Sequence, residues 1–74
     1  LSLLGQVAAG LAHELNQPLA AIGLHAEITS RWAVVGEPVR PELAASLKEI
    51  AAQSARAGEI VRSVRRLARR GTPG

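Results

Sequence analysis

The 74-residue chain contains no cysteine, methionine, tyrosine or phenylalanine, and Trp32 is its only aromatic residue. Without cysteine, disulfide staples, thiolate nucleophiles and thiolate metal sites are excluded, and the redox compartment is left open. A single aromatic side chain provides no stacking platform for nucleic acid, and no reader motif takes its place. Long hydrophobic runs are missing too. The apolar stretches fall far short of the roughly 20 residues needed to cross a bilayer, and nothing resembles a signal peptide. The fragment is therefore expected to be soluble, with no membrane contact of its own. Beginning at Leu1 and lacking methionine, it reads as an excised domain of a longer protein.

Hydrophobic residues make up 47% of the chain, almost all of them Leu, Val, Ile and Ala. Ala and Leu favour helix, whereas strands draw on aromatic and β-branched residues, so the composition predicts an all-α fold. A chain this short buries only about 60% of the surface its unfolded form exposes, which predicts a partner. The net charge of +3 is uneven: Arg56, Arg62, Arg65, Arg66, Arg69 and Arg70 crowd the last third against the single acid Glu59. A solvated face, with cations near a helix C-terminus, is the simplest account. An acidic protein is the favoured functional partner, and nucleic acid is not.

Leu4, Ala8, Leu11, Leu15, Pro18, Ile22, His25, Thr29 and Trp32 recur every three or four residues, the spacing of a heptad seam. This predicts a first helix over about 2–34. Gly36-Glu37-Pro38 breaks the pattern within a loop at about 35–40, and Pro41, followed by Glu42, suits the first position of a second helix over about 41–70. The second seam is read through Leu43, Leu47, Ile50, Ser54, Ala57, Val61, Val64 and Ala68, widened by Ile60 and Leu67, with Gly71 and Pro73 as the stop. The expected architecture is an antiparallel two-helix hairpin, residues 1–74 as one domain, which dimerises into a four-helix bundle. An extended coiled coil is the runner-up, disfavoured by the Gly-Pro break.

Within the first helix lies His13-Glu14-Leu15-Asn16-Gln17-Pro18-Leu19. If Leu11 and Leu15 face inward, His13 lies about 200° from each and points outward, with Gln17 one turn on along the same face. Pro18 cannot donate a backbone hydrogen bond to the Glu14 carbonyl, and its ring crowds that carbonyl, so a bend is expected just below His13. Gly5, Gly10 and Gly23 each cost about 1 kcal/mol relative to Ala in a helix interior. Either they let the helices pack closely or they leave this region locally weak.

An exposed imidazole beside a carboxylate can act as a nucleophile, because Glu14 can orient the ring or take its proton. Gln17 can hold a water or a phosphoryl oxygen. The helical zinc-protease motif needs a second histidine four residues after the first, where this chain has Gln17, so zinc is rejected. His25 is expected to point inward as a core or interhelical hydrogen-bonding residue.

The segment Gly10-Leu11-Ala12-His13-Glu14-Leu15-Asn16-Gln17-Pro18-Leu19-Ala20-Ala21-Ile22 resembles the H-box of bacterial sensor histidine kinases, in their dimerisation and histidine phosphotransfer domain. Asn-Gln before the proline resembles the oxygen-sensing and C4-dicarboxylate-sensing branches. Arg56-Ala57-Gly58-Glu59-Ile60-Val61 and Val64-Arg65-Arg66-Leu67 resemble the second helix of the same domain, so the similarity covers essentially the whole chain.

The resemblance implies that His13 is the phosphoacceptor, phosphorylated from ATP and passing the group to an aspartate of a response regulator receiver domain. Glu14 matches the acid that positions or deprotonates the imidazole. Gln17 matches a place where many members carry Thr or Asn and where a water is oriented to dephosphorylate the regulator; glutamine is longer than either. Pro18 matches the helix-bending proline, here a hinge. These residues hold no glycine-rich nucleotide loop, magnesium-binding asparagine or strand framework, so ATP and Mg2+ are expected in a separate catalytic domain beyond Gly74. The implied partners are a second copy of the chain, that catalytic domain and the receiver domain. The implied location is the cytoplasm, whether the parent protein is soluble or membrane-anchored. The rival from another class is a structural dimeric bundle that relays movement without phosphorylation.

Overall fold

The computed structural model describes residues 2–70, which form two α-helices, α1 (Leu3–Trp32) and α2 (Pro41–Arg70), and no strand. The predicted stop residues Gly71 and Pro73 lie outside the described residues. Ser2 caps α1, its hydroxyl accepting from the Gly5 backbone N–H at 2.9 Å, which satisfies one of the first-turn donors. The helix ends at Trp32, two residues before the expected Val34. Ala33 still donates its N–H to the Thr29 carbonyl but is already extended, with φ −76° and ψ 133°.

The chain then reverses through a turn closed by Glu37 N–H to the Val34 carbonyl at 3.1 Å. Gly36 occupies the third position of that turn with φ +87°, a value that L side chains rarely adopt. The Arg40 carbonyl accepts from both Leu43 and Ala44, and α2 starts on Pro41, whose missing N–H costs nothing at a first helical position.

The helices lie side by side and antiparallel: His25 meets Ser46 near the turn, while Leu4 and Ala68 share a groove at the other end. Pro18, Leu43 and Ser46 are the buried residues among those described, with Leu11, Leu15, Ile22, His25, Ile50, Ala57 and Ile60 half-buried between the helices. This confirms the inner line of α1 from Leu11 to Thr29. It corrects the two ends, since Leu4 and Trp32 are exposed.

The seam of α2 needs a larger correction. Leu43, Ile50 and Ala57 face α1 as expected, but the alternate positions are Ser46, Gln53 and Ile60 rather than Leu47, Ser54 and Val61, which are exposed. Val64, Leu67 and Ala68 are exposed as well. The two readings differ by a single residue at every second step, which turns the inward face by about 50°. Ser46 prevails over Leu47 because its hydroxyl pairs with His25 across the interface. Leu47 and Val61 then form a second apolar line that the hairpin leaves uncovered.

Candidate functional site

His13 stands exposed on α1, about 160° around the helix from the buried line and so on its outer side. Gln17, one turn along, is also exposed, and its amide Nε2 lies 3.5 Å from His13 Nε2. That distance is at the long limit of a hydrogen bond. The amide donates there when the imidazole proton sits on Nδ1, which leaves the lone pair on Nε2. Glu14 is exposed on the flank, and no hydrogen bond joins it to His13. The structure thus brings His13 and Gln17 together.

Pro18 is buried and α1 continues through it to Trp32. The missing donor therefore falls on the packed side, one turn from the Glu14 carbonyl, directly behind the exposed imidazole. The glycines beside it are not explained by packing within the hairpin. A Cβ built on Gly10 or Gly23 meets nothing within 4 Å, and one on Gly5 comes within 3.2 Å of the Ser2 capping hydroxyl. Gly10 leaves free space one turn before His13.

His25 does not belong to this site. Its Nδ1 lies 3.2 Å from Ser46 Oγ of α2, an interhelical hydrogen-bonding role, while within α1 Thr29 Oγ1 donates to its carbonyl at 2.9 Å. Sequence reading missed Ser46 as a packed residue. The available signal was its position three residues after Leu43, opposite the only inward-pointing histidine. Among the described residues no three histidine or acidic side chains stand close enough to hold a metal ion.

Beyond His13, toward the start of α1 and the end of α2, the helices enclose an open apolar groove of about 750 Å3. Leu4, Val7, Ala8 and Leu11 line one wall, and Ile60, Val61, Val64 and Leu67 the other. On α2, Arg62 donates to Glu59 Oε1 at 2.7 Å. This hydrogen bond and the charge of the guanidinium hold the Glu59 carboxyl below its usual pKa.

The His Kinase A (phospho-acceptor) domain family matches residues 3–73. The chain is 43% identical over 72 residues to the sensor protein FixL of Bradyrhizobium diazoefficiens. It is 42% identical over 71 residues to the C4-dicarboxylate transport sensor protein DctB of Rhizobium meliloti, and 40% identical over 73 residues to the C4-dicarboxylate transport sensor protein DctS of Rhodobacter capsulatus. These alignments cover 96%, 96% and 99% of the chain but only 14%, 11% and 11% of those relatives. No solved structure matches the chain at a comparable level. An exposed histidine with Gln17 on one helical face, an all-α hairpin and a family match over nearly every residue agree: the chain belongs to the His Kinase A (phospho-acceptor) domain family of sensor histidine kinases.

Proposed function

We propose that this domain is the phosphoacceptor and dimerisation module of a two-component sensor histidine kinase, with His13 as the residue phosphorylated. The observation that carries the proposal is the exposure of His13 on the outer side of α1, with its Nε2 beside the Gln17 amide. Phosphoryl transfer demands an in-line nucleophile with an open approach, and positioning supplies most of the catalysis.

In this reading ATP and Mg2+ are held by a separate ATP-binding domain that brings the triphosphate to the imidazole. The Nε2 lone pair attacks the γ-phosphorus, a P–N bond forms as the bond to the β-phosphate bridging oxygen breaks, and ADP leaves. The ring becomes an imidazolium, and Glu14, after rotating toward Nδ1, stabilises that charge or takes the proton. An aspartate of a response regulator then attacks the same phosphorus and releases neutral His13. Gln17, next to Nε2, can hydrogen-bond a phosphoryl oxygen or hold the water that later dephosphorylates the regulator.

Dimerisation follows from the thin core. With Leu43 the one large apolar side chain besides Pro18 that is buried among the described residues, and with an apolar groove along Leu4 to Leu11 and Ile60 to Leu67, the hairpin leaves the surface of a second seam uncovered. A second copy closing that seam gives the four-helix bundle.

The deciding experiment supplies labelled ATP to the full-length parent protein and follows acid-labile phosphate. Label on the native protein and none on His13→Ala is the expected result. Absence of label on a protein that still binds ATP would leave the domain as a relay of movement between its neighbours.

A further inference from the structure

The tautomer of His13 decides whether its Nε2 can attack, because a ring nitrogen that carries the proton has no free lone pair. Gln17 Nε2 lies 3.5 Å from His13 Nε2, on a side chain exposed one turn along the same face. An amide nitrogen only donates, so in this pair the ring nitrogen accepts and the proton belongs on Nδ1. Glu14 and Asn16, the other polar side chains within a turn of His13, make no hydrogen bond among the described residues.

Solvent does not make this choice. Water both donates and accepts, which leaves an exposed imidazole at its intrinsic preference, and a neutral histidine ring prefers its proton on Nε2. A donor held at Nε2 pulls the equilibrium the other way, since the hydrogen bond at one ring nitrogen sets which of the two is protonated. The length of glutamine matters here. With the pair already at the long limit of a hydrogen bond, a side chain one methylene shorter falls out of range. A bond this long also yields easily when phosphorus arrives.

We propose that Gln17 is a positioning residue for phosphoryl transfer onto His13: its amide holds the imidazole in the tautomer that leaves Nε2 unprotonated, an inference that rests on the phosphoacceptor reading. The role is exercised before transfer and is separate from any later contact with the phosphoryl group or with water. Two substitutions isolate it. Gln17→Met keeps the length of the side chain without a donor. Gln17→Glu keeps the shape but inverts the chemistry, because a carboxylate only accepts and draws the proton onto Nε2. The position is exposed and both residues are good helix formers, so neither disturbs the hairpin.

The test uses the full-length parent protein labelled with 15N-histidine, in mildly alkaline buffer where imidazole is neutral. The His13 signals are those lost in His13→Ala, and the 15N shifts tell a protonated ring nitrogen from a bare one. The native protein should carry the His13 proton mainly on Nδ1, Gln17→Met should move the balance toward Nε2, and Gln17→Glu should move it further. Labelling of His13 from ATP should fall about threefold in Gln17→Met, the bias that one long, exposed hydrogen bond supplies. In Gln17→Glu it should fall roughly tenfold, because a charge-assisted hydrogen bond is about twice as strong. The loss in Gln17→Met should appear in kcat with the KM for ATP unchanged. A native His13 with its proton on Nε2 overturns the proposal, as does one tautomer common to all three proteins. So does a tautomer that moves without slower labelling, a loss carried by KM alone, or a change confined to dephosphorylation of the regulator. Label on His13 with an unmoved tautomer fails this inference alone. If the tautomer follows Gln17 but the native protein takes no label on His13, the phosphoacceptor reading has failed, and the positioning role falls with it.

Discussion

Ser46 Oγ stands 3.2 Å from His25 Nδ1 across the interface between α1 and α2, and Ser46 is only 7% exposed. A polar pair at this depth fixes the register of the two helices, because sliding either by one residue leaves both groups without a partner. Which of the two donates depends on the histidine tautomer.

Replacing Ser46 with alanine removes the partner of a half-buried imidazole and leaves the packing nearly unchanged. A loss of about 1 kcal/mol per hairpin is expected, the usual contribution of one such bond. Urea unfolding of the domain at fixed protein concentration measures it. No loss would mean that His25 finds another partner, and the pair would not set the register.

Glu59 supplies a pH test with a definite sign. Its folded pKa is lowered, first by the hydrogen bond from Arg62 and then by the guanidinium charge, so its contribution is full above the ordinary value of 4.5 and disappears as pH falls through the lowered value. The pair is exposed, so the effect is small. Glu59→Gln should lower the unfolding midpoint slightly at pH 7, by a difference that shrinks as the pH is brought down toward 3. An equal change at both pH values would show that charge is not the cause.

Much of this hairpin is legible in its sequence, and the exception is instructive. The apolar recurrence from Leu11 to Thr29, the break at Gly36-Glu37-Pro38 and the restart at Pro41 announce both helices. The outward direction of His13 follows from the inward direction of Leu11 and Leu15. The register of α2 was not readable in the same way. Leu43, Ile50 and Ala57 belong equally to a line through Leu47 and Val61 and to one through Ser46 and Ile60, and hydrophobicity alone selects Leu47. A helix with apolar residues on two adjoining lines displays both at once, and only the partner side chain, here His25, shows which line faces which neighbour. The role expected of Glu14, from its place beside His13 and from the H-box resemblance, concerns the moment of transfer, when the imidazole gains charge. Consecutive helical residues point about 100° apart, so adjacency in sequence does not by itself give the two side chains a hydrogen bond.

Gly10 and Gly23 offer a test of what surrounds the hairpin. Apart from the neighbouring backbone of its own helix, a Cβ at either position meets nothing within 4 Å, so alanine should stabilise the helix by about 1 kcal/mol at each. Thermal unfolding of Gly10→Ala and Gly23→Ala domains should show raised midpoints. Destabilisation at Gly23 would place a second copy of the chain against that face. For Gly10→Ala, slower His13 labelling combined with higher stability would show that the donor domain uses the open space before the histidine.

Pro18 sets the two demands on α1 against each other. Alanine restores the backbone donor to the Glu14 carbonyl and relieves a defect that costs roughly 3 kcal/mol in a helix interior. It also removes ring carbons from one of the most buried positions in the hairpin, which leaves a void and offsets part of that gain. The net change in unfolding midpoint should therefore be modest, and the functional change larger. On the proposed hinge role, a continuous hydrogen-bond ladder behind His13 removes the local compliance with which it would face first an ATP-binding domain and then a receiver domain. Labelling, transfer and regulator dephosphorylation measured side by side on Pro18→Ala should shift relative to one another, with one step retained and another slowed. If all three rates stay at the native level while helix stability rises, the proline is a packing residue and the switching of His13 resides elsewhere in the bundle.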